Sequence, residues 1–273
     1  MRFKERFLLP VGTLAGTIIG AGMFSLPFVF RVSGIWLGLL YLGLGVGIYT
    51  LTHLLYADIL LRTPGEHRFV GYARLYLGRF GFWAAILMSV IEMVLLLTVY
   101  LVLSESFFRL LVPPLSPFLG TLAFWASGSL ALFSNVRRLA FSESVGLVSI
   151  IGIIVFIFIA GLPRFLSLNP APVLPFSFNY IFFPLAPVLF SLAGRVAIPA
   201  LVRFLKRETN VQARAPAIRR AIVAGTCIPA IAYVLFAFGI LGFTPFPTED
   251  AVSGLAAHMG PVVLGVLGLL GLI

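Results

Sequence analysis

Long apolar runs limit what this chain can become more than any other feature. A helix crossing the hydrocarbon core of a bilayer needs roughly 20 apolar residues. Seven runs reach that length, at roughly 8–30, 34–61, 81–108, 115–134, 140–162, 178–202 and 221–243. An eighth opens near residue 259 and is still apolar at Ile273. At ~1.5 Å per residue it reaches about 22 Å, short of a ~30 Å core, so the expectation is seven full spans and a chain truncated in the eighth. Composition agrees, with 60% hydrophobic and only 10% charged residues, against about 25% charged in a soluble domain. Such a chain cannot cover a water-facing surface. In lipid each backbone polar group must be paired within the protein, so the runs are helices. The expected fold class is all-α, a polytopic membrane protein. The basic start, Met1 to Arg6, resembles the head of a signal peptide, but the apolar run behind it is too long and lacks a small-residue cleavage site, so it is read as the first span.

The loops set the orientation. With the N-terminus inside, inner segments carry Arg2, Lys4 and Arg6; Arg62, Arg68, Arg74 and Arg79; Arg137 and Arg138; and Arg203, Lys206, Arg207, Arg214, Arg219 and Arg220. Those are 15 of the 19 basic residues; Arg31, Arg109 and Arg164 fall at outer ends, and Arg195 lies within a span. This bias follows the positive-inside rule and predicts a multi-pass protein of the inner (cytoplasmic) membrane with a cytoplasmic N-terminus. It also explains the net charge of +10 without nucleic acid. The basic stretch Arg203 to Arg220 reads as a solvated cytoplasmic face that also meets anionic membrane lipid.

Two spans are interrupted. The first contains Gly16, Gly20 and Gly22 followed by Pro27; the sixth contains Phe190-Ser191-Leu192-Ala193-Gly194-Arg195 followed by Pro199. Each glycine weakens a helix by about 1 kcal/mol relative to alanine. In both spans a glycine stands five residues before a proline, and the two spans run in opposite directions. Interrupted spans at matching positions of two halves point to the midplane site of a transporter. A broken helix exposes N–H groups at the start of one half and C=O groups at the end of the other. The N–H end can hold a carboxylate and the carbonyls a cation. The other reading is close helix packing, since Gly12, Gly16 and Gly20 also fit Gly-x-x-x-Gly spacing.

Gly16-Thr17-Ile18-Ile19-Gly20-Ala21-Gly22-Met23-Phe24-Ser25-Leu26-Pro27 resembles the first-span signature of the amino acid–polyamine–organocation (APC) superfamily, nearest to its hydroxy and aromatic amino-acid permeases. Three weaker segments follow in the same order. Phe69 to Phe82 resembles the first cytoplasmic loop, Pro187 to Pro199 the sixth span, and Arg219 to Tyr233 the start of the seventh. The resemblance implies a LeuT-type fold of two inverted five-helix repeats, here 1–162 and an incomplete 163–273. It implies an amino-acid permease, a symporter driven by H⁺ or Na⁺ with no other cofactor. The substrate carboxylate would meet Ala21, Gly22 and Met23 beside Gly20, and its amine the carbonyls near Thr17 and Ile18. Phe190, Ser191, Leu192, Ala193 and Gly194 would close the other side. Arg195 departs from the family pattern, which favours aromatic or small polar residues there.

Glu92 and Arg195 are the deepest ionisable residues, and such residues usually mark function. Three readings stand: a structural pair, an Arg195 that holds an acidic group or replaces a coupling cation, and a Glu92 that carries a proton. His53, His67 and His258 have no metal-ligand spacing, so no metal site is expected. Neither His-Glu-x-x-His nor Gly-x-Ser-x-Gly occurs, and Ser127 and Ser129 have no histidine at their depth; an enzyme is not expected. Cys227, the single cysteine, sets no disulfide. The alternative to a carrier is a permease-like sensor or a degenerate, non-transporting fragment, either of which would keep the same site.

Overall fold

The computed structural model describes residues 3–112, 114–131, 133, 136–167, 180–208, 211–244, 246–251, 253–256, 258–260, 264, 265 and 268. Among them the chain is helical, without a strand. In chain order the helices are α1 (Phe3–Ile18), α2 (Leu26–Ser33), α3 (Ile35–Arg62), α4 (Phe69–Leu111), α5 (Pro117–Ala131), α6 (Val136–Ser167), α7 (Leu185–Ser191), α8 (Ile198–Glu208) and α9 (Val211–Phe243). Short 3₁₀ turns occupy Ala21–Ser25, Arg195–Ala197 and Ser253–Leu255.

Five helical stretches are at least 18 residues long and apolar enough to cross a membrane, and α1 and α2, bent by 53° at the break between them, pass the same test only when taken together. The protein is therefore a multi-pass membrane protein. Within the 115–134 run the described helix is α5, Pro117–Ala131, and residues 132, 134 and 135 lie outside the described residues. The eighth run lies largely outside the described residues. In α4 the helix starts well before the expected 81 and bends at Gly78, where φ is +69°. That left-handed value is open to glycine at little cost, and it separates a short segment at the α4 start from the apolar crossing. Leu87, Met88, Ile91, Val94 and Leu97 along α4 are all exposed, as expected of a helix whose solvent is lipid.

The buried centre gathers around α9, which packs on α6, α1, α3, α2 and α8. Its Tyr233, Phe236, Ala237 and Ile240 are fully buried. Glycine sets the α6–α9 contact. A Cβ on Gly161 would fall 2.2 Å from the Gly239 carbonyl oxygen, and one on Gly242 would fall 2.1 Å from that of Gly161. The two backbones touch, so dispersion and weak C–H contacts act at full strength where lipid offers no hydrophobic drive. Phe24 of the first 3₁₀ turn is held between Phe107 of α4, 5.1 Å between centroids, and Phe236 of α9, 5.9 Å and edge-on. This aromatic stack anchors the interrupted segment.

Gly161→Ala is expected to destabilise by about 1–3 kcal/mol, the usual cost of overpacking. On the same helix Gly152 meets nothing within 4 Å, and Gly152→Ala should stabilise by up to about 1 kcal/mol. Thermal unfolding of the two detergent-purified variants checks the contrast; equal melting temperatures would mean that α6 and α9 do not cross here.

Candidate binding site at two helix breaks

Both interruptions are real backbone breaks, and they lie against each other. The α1 ladder ends at Ile18 and Ile19, Gly20 is extended (φ −167°, ψ −151°), and a 3₁₀ turn over Ala21–Ser25 leads into α2. Pro27, second residue of α2, sits where a missing N–H costs nothing. The second break runs from Leu192 to Gly194, between α7 and the turn at Arg195–Ala197. A Cβ on Gly22 would lie 2.5 Å from Ser191 Cα, so only glycine lets the two breaks approach this closely. By contrast Gly12 meets nothing within 4 Å and Gly16 only the tip of Leu147, so close packing does not explain the whole glycine pattern of the first span.

Tyr233 ties the two breaks together. Its phenol oxygen lies 2.6 Å from the Ile18 carbonyl oxygen and 2.8 Å from that of Ser191. These are the last carbonyls of α1 and α7, without a following turn to pair them. One hydroxyl hydrogen is shared between them, and the side chain is fully buried. Around this link, Gly45 packs on Val188 and Leu192, and Gly194 on Leu14 and Ile18.

Two cavities flank the breaks. The first, about 910 Å³, is lined by Ala21, Gly22 and Ser25 of the first break, by Phe28 of α2, by Thr98, Val102 and Ser106 of α4, by Pro187 and Phe190 of α7, and by Thr248, Glu249, Asp250 and Ser253 of the loop after α9. The N–H groups of Ala21 and Gly22 head the 3₁₀ turn at this wall, where no preceding turn supplies carbonyls. Asp250 shapes the loop, accepting from Thr248 Oγ1 at 2.6 Å and from the Ser253 N–H at 3.2 Å. The second cavity, about 750 Å³, opens among residues of the expected cytoplasmic end, including His67, Arg68, Phe69, Arg203 and Lys206, and reaches inward to Glu92 and Arg195. There Arg195 Nη2 donates to Glu92 Oε2, and its guanidinium lies 3.9 Å above the Phe69 ring. Arg203 approaches Glu66 at 3.5 Å, and Lys206 Nζ donates to the Leu60 carbonyl at 2.8 Å. These contacts join the second break and α8 to the α3–α4 connection.

Of the residues singled out by sequence, Ala21, Gly22 and Phe190 line the first cavity. Ile18 and Ser191 contribute the carbonyls held by Tyr233. Met23 and Leu192 are buried in the core, so only their backbone is placed at the breaks. Thr17 is exposed and its hydroxyl donates to its own helix at Thr13; Gly20 and Ala193 are half-buried. Arg195, placed by sequence both with the residues of the second break and in a pair with Glu92, lines the second cavity with Glu92. Sequence reasoning missed Tyr233, Phe28 and the Thr248–Ser253 loop. The one available signal was Tyr233 itself, since a phenol inside an apolar span must find a hydrogen-bond partner. No group of three or more metal-ligating side chains occurs among the described residues.

The model of the tryptophan/tyrosine permease family matches residues 4–259. No curated protein matches the chain significantly.

Tyr233→Phe removes the hydroxyl that, among the described residues, joins the two helix ends. It is expected to lower stability by about 1–3 kcal/mol, the cost of buried acceptors left unpaired. A lowered apparent melting temperature in detergent checks this, and an unchanged one would mean that the carbonyls find other donors.

Proposed function

Since the chain belongs to the tryptophan/tyrosine permease family, we propose that it is a secondary carrier that binds an aromatic amino acid in the first cavity, where the two broken helices meet. The observation that carries this reading is the placement of Ala21 and Gly22, at the head of a 3₁₀ turn, on the wall of a cavity of about 910 Å³. Free N–H groups and the positive end of the turn favour the substrate carboxylate. The carbonyls ending α1 offer a second lone pair to the ammonium group. Phe28 and Phe190 on the same wall suit an aromatic side chain, which gains from edge or offset contact with other rings.

The two breaks on oppositely directed spans support a LeuT-type arrangement of inverted repeats, 1–162 and 163–273, within the amino acid–polyamine–organocation superfamily. The basic inner loops support an N-terminus in the cytoplasm. With that orientation the first cavity faces outward and the second inward, and the layer between them holds Tyr233 and the two breaks. The contacts of Arg195, Arg203 and Lys206 then hold the inward side closed. Opening that side requires α8 and the second break to part from the α3–α4 connection.

Uptake of labelled L-tryptophan and L-tyrosine into proteoliposomes, with inward proton or sodium gradients, tests the reading. Accumulation is expected in the unaltered protein, with loss of more than tenfold in Gly22→Ala, whose new methyl would displace Ser191. No uptake under either gradient in tight vesicles would favour a permease-like sensor or a non-transporting protein.

A further inference from the structure

Histidine 53 has no part in the site described so far, yet it is among the most deeply placed titratable groups of the protein. It lies midway along α3, is 2% exposed, and faces α9. Its Nδ1 lies 3.4 Å from the hydroxyl of Thr226, a residue with no exposure at all. Its other ring nitrogen, Nε2, is buried without a hydrogen-bond partner. Thr50 Oγ1, one turn away on the same helix, is also buried without a partner. Buried polar atoms in proteins are nearly always paired, and each exception calls for an explanation. An ionisable side chain inside a membrane span is costly and is most often kept for function. A structural imidazole would have both nitrogens satisfied.

The surroundings suit a group that gains and loses one proton. On its own helix the Tyr49 ring lies 5.5 Å from the imidazole. Three residues beyond His53 on the same helix, Tyr56 lines the second cavity with Glu92 and Arg195. On α9 His53 faces Thr226, with Cys227 adjacent and Tyr233 two turns further on; Arg214, Arg219 and Arg220 lie toward the other end of that helix. The charged side chains of the other helices packed on α3 are engaged elsewhere. Arg31 of α2 lies over the Phe246 ring, and Arg203 and Lys206 of α8 contact Glu66 and the Leu60 carbonyl. Arg207 of α8 is exposed, and α7 carries no charge.

We propose that His53 is the residue that binds the coupling proton of transport, an inference that rests on the reading of the chain as a carrier. In the neutral tautomer with Nδ1–H donating to Thr226, Nε2 presents a bare lone pair. It takes one proton from water to become imidazolium and returns that proton to water on the other side. No other bond forms or breaks. In the charged form both nitrogens are donors, and Nε2–H needs an acceptor, which Thr50 Oγ1 or water can supply only if the α3–α9 contact shifts. Thr226 and Tyr233 are seven residues apart and so share one face of α9. A shift felt at Thr226 is thereby carried by the same helix that holds the two breaks. Protonation and the substrate layer are mechanically linked without touching.

The test uses the full chain in proteoliposomes with labelled L-tryptophan and L-tyrosine. In the unaltered protein, an inward pH gradient of one unit should accumulate substrate up to about tenfold, the limit for one proton per substrate. In His53→Gln that accumulation should fall to equilibrium, while exchange of internal for external substrate at equal pH persists. Thr226→Val should keep accumulation but displace the pH midpoint of uptake. Gradient-driven accumulation by His53→Gln with an unchanged pH profile overturns the proposal, as does accumulation by the unaltered protein on a sodium gradient alone. If the variant loses exchange as well, nitrogen NMR of the three histidines in the unaltered protein decides. His53 must then become protonated over the pH range in which uptake rises, and a ring that stays neutral throughout that range overturns the inference. Absence of uptake by the unaltered protein under every gradient would remove the carrier reading itself, a result distinct from each of these.

Discussion

A backbone group without a partner costs several kcal/mol in a bilayer, and two helices of this protein stop in mid-span. The phenol of Tyr233 resolves that conflict by meeting the last carbonyls of α1 and α7 together. Most of the central architecture follows from this link. Gly22 must be glycine because Ser191 approaches its α-carbon within a methyl group's reach. Phe24 is locked between Phe107 and Phe236 because the turn it belongs to has no helical ladder to hold it. α9 must run through the middle of the molecule because it brings Tyr233 to both breaks. The acceptor ends are thereby satisfied, and the donor end at Ala21 and Gly22 is left for something else.

The polar chemistry divides about that layer. On one side are hydroxyls, backbone donors and a loop that carries the carboxyl groups of Glu249 and Asp250. On the other are charged contacts, led by Arg195 with Glu92 and Phe69. An ion pair that is half exposed, with side-chain exposures of 29% and 50%, adds little to stability, since water screens it and both side chains lose freedom. Such a pair is suited to forming and parting during a cycle. The glycine-to-glycine contact between α6 and α9 is different in kind. It is dry, has no flexible side chain to yield, and holds α9 at a fixed depth.

Several features were legible in the residues alone. The apolar runs announce crossing helices because lipid permits little else. Gly20-Ala21-Gly22 with Pro27, and Gly194 with Pro199, announce breaks because glycine weakens a ladder and proline suits a helix start. Depth along the spans singled out Glu92 and Arg195 as charges within crossing helices. The cavity that each residue faces was not legible in the same way. Arg195 follows Gly194 by one position, yet the turn between them directs it to the opposite cavity, and a linear motif contains no such direction.

The sequence by itself determined that this chain lives in a membrane, that its helices break twice, and which residue types stand at the breaks, since these depend on composition and local backbone preference. Only the tertiary structure decided that the breaks adjoin, that Tyr233 joins them and that His53 faces Thr226. Each of those depends on contacts between residues as far apart as 215 positions, and helical periodicity fixes a residue's face on its own helix but not which helix it meets.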